Sequence, residues 1–328
     1  MRAARNVLAG LVVLAFAFYI AFVAMRGSTP AISGDSSIAS LEEIELGGIP
    51  QWVLMRGHDA NQPVILFLHG GPGMPAMYLA HDFQREMERD FVMVHWDRRG
   101  AGKSFASGGE LSVSQTVADA IELAELLQER FTVDRIYLVG HSWGSYLGLL
   151  VARERPDLFH AFIGTGQVAG SKEEVRSVRR LFAEAVEGIA PQQDLTEDDL
   201  FRLGGELYGE TSLWPILSTG LRAPEYTFFD ALNVGKGSSL VAKNMDYDVD
   251  ISPHDGEVTA VDVPVFFLLG RNDYNTPSLL AADYLKRLKS PMKAELWFEK
   301  SAHFPFWEEP DAFHEALVWI DATVRRHD

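Results

Sequence analysis

Short apolar runs alternate with longer stretches of helical periodicity along most of the chain. Six runs have the length of buried strands: VILFLHG, FVMVHWD, RIYLVG, AFIGTG, VFFLLG and AELWFE. Most are separated by segments such as SQTVADAIELAELLQERF, in which apolar residues recur every three or four positions. Ahead of them, EEIELGGIPQWVLMRG has the pattern of a hairpin that turns at Gly47 and Gly48. Strands that alternate with helices predict an α/β fold with a mostly parallel sheet and helices on both faces.

One interval, residues 171–261, lacks this alternation. It contains no convincing core strand, but it has helix-like sequence with aromatic and turn residues. We therefore expect a core made of residues 41–170 and 262–328, with residues 171–261 inserted as a mainly helical cap over one edge of the sheet. Most of the cap aromatics are expected to pack the cap onto the core, and a minority to line a pocket. These aromatics are Phe182, Phe201, Tyr208, Trp214, Tyr226 and Phe228.

The first residues differ from the rest of the chain. The nineteen residues from Val7 to Met25 carry no charge, with Arg2 and Arg5 before them and Arg26 after. Such a run is long enough to cross a bilayer as a helix. A cleaved signal peptide is the alternative, but the run is longer than a usual signal core and a good cleavage site is missing. We expect a cytoplasmic segment 1–6, a transmembrane anchor 7–25, a linker 26–40 and a folded domain on the non-cytoplasmic side.

Charge and composition exclude several classes of function. The formal net charge is −17, from 46 acidic and 29 basic residues, which disfavours nucleic acids and anionic membrane surfaces as partners. The chain has no cysteine, so disulfides, thiolate catalysis and cysteine-ligated metals are excluded. RGAGKS is not a phosphate-binding loop, because Asp97 stands where that loop requires its first glycine. No metal motif is present, and we expect no cofactor and no metal.

The stretch VGHSWGS places Ser142 between a buried strand and a helix. Gly140 and Gly144 flank it in the pattern G-x-S-x-G, which is typical of a tight turn that presents a serine hydroxyl at a helix N-terminus. An ordinary glycine turn that happens to contain a serine is the alternative. Ser142 is the candidate nucleophile.

A serine nucleophile needs a base and an acid that orients the base. His303 lies between the last predicted strand and the final helix, so it is expected on a loop at the same edge of the sheet as Ser142. Asp273 follows the penultimate strand, between the serine and the histidine in the chain, whereas Asp262 lies at the opposite end of that strand. A structural histidine and an aspartate that only caps a turn are the alternatives.

The oxyanion of such a reaction is held by backbone amides. One is expected from Trp143, the residue after the nucleophile, and the other from the glycine-rich loop HGGPG, where Gly71 is the candidate. His69 is expected to brace this loop by hydrogen bonds.

Together these motifs resemble a known family. HGGPG, DRRGAGKS (Asp97 to Ser104), GHSWGS, GRND and a late histidine, in this order, are similar to the α/β-hydrolase superfamily and to its proline iminopeptidase branch. The resemblance covers residues 41–325. It implies a triad of Ser142, Asp273 and His303, and an oxyanion hole of Gly71 and Trp143. It also implies removal of an N-terminal proline or similar residue from peptides, with acids of the cap holding the free amino group.

The chain departs from the branch in three ways, the first being its expected anchor, since members of the branch tend to be soluble cytoplasmic enzymes. It has His141 where the branch usually has glycine, and its cap cannot be aligned, so Glu206, Glu210 and Glu225 are amine-binding candidates by position only. Three functions therefore stay open. They are a serine aminopeptidase acting on short peptides, a carboxylesterase or lipase-like enzyme acting on apolar small-molecule esters, and an inactive binding protein with a hydrolase fold.

Overall fold

The computed structural model describes residues 27–188, 191, 193–245 and 258–327, together with six positions between residues 10 and 19. Its centre is one eight-stranded sheet. The strands are β1 (Ile38–Leu46), β2 (Ile49–Gly57), β3 (Val64–Leu68), β4 (Val92–Asp97), β5 (Ile136–His141), β6 (Phe159–Thr165), β7 (Val265–Gly270) and β8 (Lys293–Phe298). Their spatial order is β1-β2-β4-β3-β5-β6-β7-β8.

The sheet is antiparallel at one edge and parallel elsewhere. β1 and β2 form the predicted hairpin, in which Leu46 pairs with Ile49 across Gly47 and Gly48. Both glycines have positive φ, 56° and 74°, which a two-residue hairpin turn requires. β2 is antiparallel to β4, and all remaining neighbours are parallel. The mostly parallel sheet predicted from the sequence is confirmed.

Helices cover both faces of the sheet, which explains why β3 to β7 are almost continuously apolar. The core helices are α1 (Ala80–Phe83), α2 (Val113–Phe131), α3 (Trp143–Glu154), α8 (Ser278–Arg287), α9 (Pro305–Glu308) and α10 (Pro310–Val324). One apolar cluster joins the sheet to α2, α3 and α8. A second cluster, on the other face, joins it to α1, α9 and α10. Short 3-10 helices occupy connecting segments at Met77–Leu79, Met87–Arg89, Gly102–Ser107 and Pro156–Leu158.

The predicted cap interval is helical. Between β6 and β7 the described residues form α4 (Lys172–Glu187), α5 (Glu197–Leu203), α6 (Trp214–Gly220) and α7 (Phe228–Asn244), with no strand among them. Three of these helices begin with a reciprocal capping box, in which an N-cap hydroxyl and an acid three residues later each accept a backbone N–H. The N-cap residues are Ser171, Thr196 and Thr227. These boxes explain from local sequence where the helices start.

Polar contacts attach the cap to the end of β4. The Tyr226 hydroxyl donates to the carboxylate of Asp97, and both side chains are buried. Burial raises the pKa of Asp97 to about 7, against the opposing effect of the Tyr226 hydrogen bond. Beside them, Lys103 Nζ lies 3.0 Å from Asp230 Oδ2 and 4.3 Å from the ring centroid of Trp52. The junction between α6 and α7 is thereby fixed to the core.

The predicted anchor, Val7 to Met25, lies mostly outside the described residues. Within the part of the chain that the structure describes, no helix combines the length and the apolar character needed to cross a membrane. The predicted linker is described from Gly27 onward. There the Gly27 amide donates to the carbonyl of Pro224 at 2.7 Å, and the Thr29 hydroxyl donates to Glu225 at 3.0 Å. The described part of the linker therefore starts in contact with the cap. The linker is shorter than predicted, because β1 begins at Ile38.

Candidate active site

Ser142 occupies a sharp turn between β5 and α3. Its φ of 54° and ψ of −127° lie in a region that side-chain-bearing residues rarely adopt. The turn is held by hydrogen bonds, from the Ser142 amide to the Thr165 carbonyl at 3.0 Å and from the Ser145 hydroxyl to the Ser142 carbonyl at 2.6 Å. Such strain, fixed by its surroundings, is a frequent property of functional residues.

The two flanking glycines are required by close packing. A Cβ on Gly144 would clash with the carbonyl oxygens of Leu68 and His69, and a Cβ on Gly140 would clash with the backbone of Gly144. The backbone of the turn therefore lies directly against the end of β3. The sequence predicted glycines for a tight corner, and the structure shows the specific reasons, which are the approach of Gly144 to the end of β3 and of Gly140 to the backbone of the turn itself.

The structure brings His303 and Asp273 together. His303 Nδ1 lies 3.0 Å from Asp273 Oδ2, and both side chains are buried. The other oxygen, Oδ1, accepts the backbone N–H groups of Asn275 and Thr276, each at 2.9 Å. Asp273 therefore caps a turn, which was the alternative role considered for this residue, and it also pairs with His303.

The surroundings of His303 favour its protonated form. Burial alone would lower the pKa of this imidazole, but the nearby carboxylates of Asp273, Glu206 and Glu308 raise it, and the net pKa is above the ordinary histidine value. With Nδ1 engaged by Asp273, Nε2 is the nitrogen available to take up a proton. A reaction that needs neutral His303 as a base should therefore gain rate as the pH rises.

The loop that carries His303 is shaped from two directions. Glu308 Oε2 accepts the amides of Ala302 at 2.9 Å and Phe304 at 3.0 Å. The amide of His303 itself donates to the carbonyl of Glu206 in the cap, at 3.1 Å. The histidine position thus depends on both the core and the cap.

Gly71 and Trp143 are the candidate oxyanion donors, and Trp143 directly follows Ser142 in the chain. Gly71 has a φ of 113°, and a Cβ there would clash with the amides of Gly73 and Met74, so no other residue fits the loop. Trp143 is the first residue of α3, where backbone N–H groups have no partner within the helix. Gly71, Ser142 and His303 line one cavity.

Arg98 is a residue that the sequence analysis missed. It follows β4 and is buried, and its Nη2 donates to the carbonyls of His69, Gly70 and Pro72 at 2.7, 3.0 and 2.8 Å. Its guanidinium also lies 4.6 Å from the ring centroid of Trp143. It therefore holds the carbonyls on both sides of the candidate donor glycine and packs on Trp143, the residue that carries the other candidate donor.

His69 braces the same loop, as expected. Its Nδ1 donates to the carbonyl of Gly70 at 2.9 Å, and its Nε2 accepts from Arg98 Nε at 3.1 Å. Burial, followed by the charge of Arg98, lowers the pKa of His69 well below its ordinary value. A neutral imidazole is the form that both hydrogen bonds need.

His141, the departure from the branch pattern, supports the histidine loop. Its Nε2 donates to the carbonyl of His303 at 2.9 Å, and the two ring centroids are 4.8 Å apart. Burial lowers the pKa of His141 well below its ordinary value, and the charge of His303 lowers it further. His141 thus adds a neutral hydrogen-bond donor beneath His303.

Comparison with known proteins decides the family. Residues 63–310 match the family model described as alpha/beta hydrolase fold. The chain belongs to the α/β-hydrolase family. Its resemblance to the proline iminopeptidase branch is also confirmed by individual proteins.

This α/β hydrolase has relatives that carry aminopeptidase names. A probable aminopeptidase of Bacillus subtilis is 30% identical over 304 residues, covering 86% of this chain and 96% of the relative. A proline iminopeptidase of Heyndrickxia coagulans is 25% identical over 270 residues, covering 76% and 87%. The crystal structure of a proline iminopeptidase-related protein from Thermus thermophilus superposes with a TM-score of 0.62 at 22% identity, covering 88% of this chain and 98% of that one. At that identity the structural likeness shows the fold alone.

The cap of this α/β hydrolase closes a cavity of about 780 Å³ over Ser142. Its walls are largely apolar, and the cap contributes Leu200, Ile216, Leu217, Leu221, Phe228 and Leu232. Of the cap aromatics singled out from the sequence, Trp214, Tyr226 and Phe228 line the cavity. Phe201 is buried, whereas Phe182 stacks on Tyr274 with ring centroids 3.7 Å apart. The cavity therefore suits a substrate with a sizeable apolar group.

The three candidate acids of the cap occupy different environments. Glu206 is 2% exposed and lines the cavity, where its Oε1 accepts from Asn275 Nδ2 at 3.1 Å. Glu225 is equally buried but binds Thr29 and is not part of the cavity wall. Glu210 is exposed. Among the three, Glu206 is the one placed to meet a substrate.

In the described part of the chain, no group of three or more histidine or acidic side chains is placed to hold a metal ion.

Proposed function

We propose that this hydrolase is a serine aminopeptidase that releases the N-terminal residue of short peptides. One observation carries the proposal. The buried carboxylate of Glu206 lines an otherwise largely apolar cavity that also contains Ser142 and His303. The aminopeptidase names of the relatives support the same reaction.

The proposed reaction gives each of the three groups, Ser142, His303 and Asp273, one role. His303 Nε2 accepts the proton of the Ser142 hydroxyl as Oγ attacks the scissile carbonyl carbon, while Asp273 holds the Nδ1 proton and stabilises the imidazolium. The amides of Gly71 and Trp143 donate to the oxyanion. The imidazolium then gives its proton to the leaving amine. A water molecule, deprotonated by the same histidine, hydrolyses the acyl-enzyme and restores Ser142.

Glu206 would set the preference for a free N-terminus. A carboxylate in an apolar cavity interacts more strongly with a cation than one in water does, because the local dielectric is low. The ammonium of an unblocked peptide would pair with Glu206 and place the first peptide bond at Ser142. A substrate whose amino group is acylated would lose this pairing.

An esterase is the second candidate, and the apolar lining of the cavity favours it. The same Ser142 chemistry cleaves esters, whose alkoxide leaving groups are easier to expel. A cavity of about 780 Å³ with leucine and aromatic walls would hold an acyl chain without any amine contact.

The test is a comparison of amide and ester substrates on the full-length protein. We would measure hydrolysis of prolyl, alanyl and leucyl arylamides, of their N-acetylated forms, and of short and medium p-nitrophenyl esters. The variant Glu206→Gln removes the charge at constant shape, and Glu210→Gln is its matched control on the exposed part of the cap. We expect Glu206→Gln to lower kcat/KM on free arylamides by about 10²-fold, since a buried charge pair is worth a few kcal/mol, and to leave ester hydrolysis nearly unchanged at alkaline pH.

Two results would contradict the proposal. If only esters are hydrolysed, and neither Glu206→Gln nor Glu210→Gln changes the rate of ester hydrolysis, the protein is an esterase. Failure to hydrolyse any of these substrates, together with failure of Ser142 to react with a fluorophosphonate, would indicate a binding protein.

A further inference from the structure

Several apolar side chains of the cap are exposed and also line the cavity. We define the apolar rim as Trp214, Leu217, Leu221, Phe228, Phe229 and Leu232, all on or beside α6 and α7. Trp214 is 64% exposed and Phe229 is 69% exposed. Every member except Phe229 also lines the cavity. The rim is therefore continuous with the inner wall and presents a hydrophobic surface around the opening.

An exposed apolar surface of this kind indicates an interaction site. Single exposed apolar residues are common, but a contiguous group of six large ones is typical of a protein or membrane interaction site. Transfer of this surface from water to an apolar medium is favourable in proportion to its area, at roughly 25 cal/mol per Å².

The chain itself indicates which partner this is. Gly27 and Ser28 donate their amides to the carbonyl of Pro224, at 2.7 and 3.3 Å. Pro224 lies in the short junction between α6 and α7, the two helices that carry the rim. Met25, the last residue of the nineteen-residue apolar run, is two residues before Gly27. No more than about 8 Å of chain therefore separates the end of that run from the hydrogen bond that fixes it to the cap.

The described positions of the apolar run are also uncovered. Val12, Val13, Leu14, Phe16 and Tyr19 are each half exposed or more. The rim does not bury them, and they do not bury the rim. Two apolar surfaces, neither of which is covered by the described residues, are thus joined within a few residues at Pro224.

We propose that the apolar rim is a membrane-docking surface. The Val7–Met25 segment, which the sequence predicts to be a transmembrane anchor, would insert in the bilayer. The attachment of Gly27 to Pro224 would then bring α6 and α7 down to the interface, where the rim enters the region between head groups and acyl chains. The mouth of the cavity then opens towards the membrane, so that apolar or amphiphilic substrates enter from the lipid. This inference goes beyond the proposed function and does not depend on which bond Ser142 attacks.

A lipid surface fits these observations better than a second copy of the chain. A partner protein seated on the rim would close the mouth of the cavity, whereas fluid lipid leaves it accessible to substrate. The net charge of −17 opposes anionic membranes. The expected partner is consequently a zwitterionic bilayer, bound by apolar insertion.

The absence of cysteine allows a direct test on the full-length protein. Single cysteines would be introduced by Phe229→Cys and Leu221→Cys in the rim, and by Leu279→Cys as a control. Leu279 is 61% exposed and belongs to α8 of the core, which contributes nothing to the cavity wall. Each variant would carry an environment-sensitive fluorophore and be reconstituted in phosphatidylcholine vesicles, with and without brominated acyl chains.

We expect both rim labels to shift to shorter wavelength in vesicles and to be quenched by the brominated lipid, while the label at 279 does neither. Two rim positions are labelled so that the test still gives an answer if one of the substitutions disturbs the fold locally. Rim labels that behave like the label at 279 would overturn the proposal. So would a shift that appears without vesicles and grows with protein concentration, because that would assign the rim to contact between copies of the chain.

Discussion

The two halves of the active site are built in different ways. The core half, at the ends of β3, β5 and β7, consists of buried groups in hydrogen bonds, with a strained serine and glycines that packing allows no residue to replace. The cap half consists of apolar side chains, many of them exposed, with Glu206 as its buried acid. Under the proposed function, this difference means that the core would determine which reaction occurs and that the cap would determine which molecule undergoes it.

Removal of the Ser142 hydroxyl, which belongs to the core half, is expected to have the largest effect. We expect Ser142→Ala to lower kcat on every substrate by at least about 10⁴-fold, since the nucleophile of a triad is worth that much or more. The exposed Ser114→Ala on α2 should keep full activity. Turnover rates with esters and arylamides measure both variants. Near-normal turnover of Ser142→Ala on either substrate class would place the chemistry elsewhere.

A smaller effect is expected from loosening the oxyanion loop. Arg98→Lys keeps a positive charge but cannot reach three carbonyls, so the loop should shift and kcat should fall by about 10²-fold with little change in KM. The matched control is Arg99→Lys, because Arg99 is equally buried but pairs with Asp119 at 2.6 Å instead of with the loop. It should lower Tm while sparing kcat. Equal losses of kcat in the two variants would show that Arg98 contributes only to stability.

The smallest expected effect is the influence of Glu206, a residue of the cap, on the pKa of His303 in the core. The carboxylate of Glu206 helps to raise the pKa of His303, so Glu206→Gln should lower that pKa. In the proposed mechanism His303 acts as a base when neutral, so kcat/KM should rise as the pH passes its pKa. The acid limb of the pH profile, measured with an ester that has no amine, should consequently move to lower pH. An acid limb that does not move, or that moves to higher pH, would show that the carboxylate of Glu206 does not raise the pKa of His303.

What the sequence predicted correctly was encoded locally. The hairpin at Gly47 and Gly48, the buried strands and the helices between them all follow from apolar periodicity and turn residues. The pairing of His303 with Asp273, which are 30 residues apart, is the exception. It was anticipated from chain order at strand ends, because the ends of parallel strands meet at one edge of a sheet.

What it missed depends on contacts between distant segments. Arg98 and the Pro72 carbonyl are 26 residues apart, and nothing in DRRGAGKS indicates that one arginine will turn towards the glycine loop. Likewise, Glu206 and Glu225 look alike in the sequence, and it is the path of the cap that places one at the cavity and the other at Thr29. The membrane anchor stays a prediction, since it lies mostly outside the described residues.

The hydrogen bond from the His303 amide to the Glu206 carbonyl joins the proposed base to the residue proposed to bind the substrate. A ligand that pulls Glu206 inwards would also move the histidine loop, so recognition and proton transfer would be mechanically linked. Poor substrates would then be rejected by slow turnover as well as by weak binding. Changing the selectivity of this enzyme by altering the cap would therefore retune its catalytic rate at the same time.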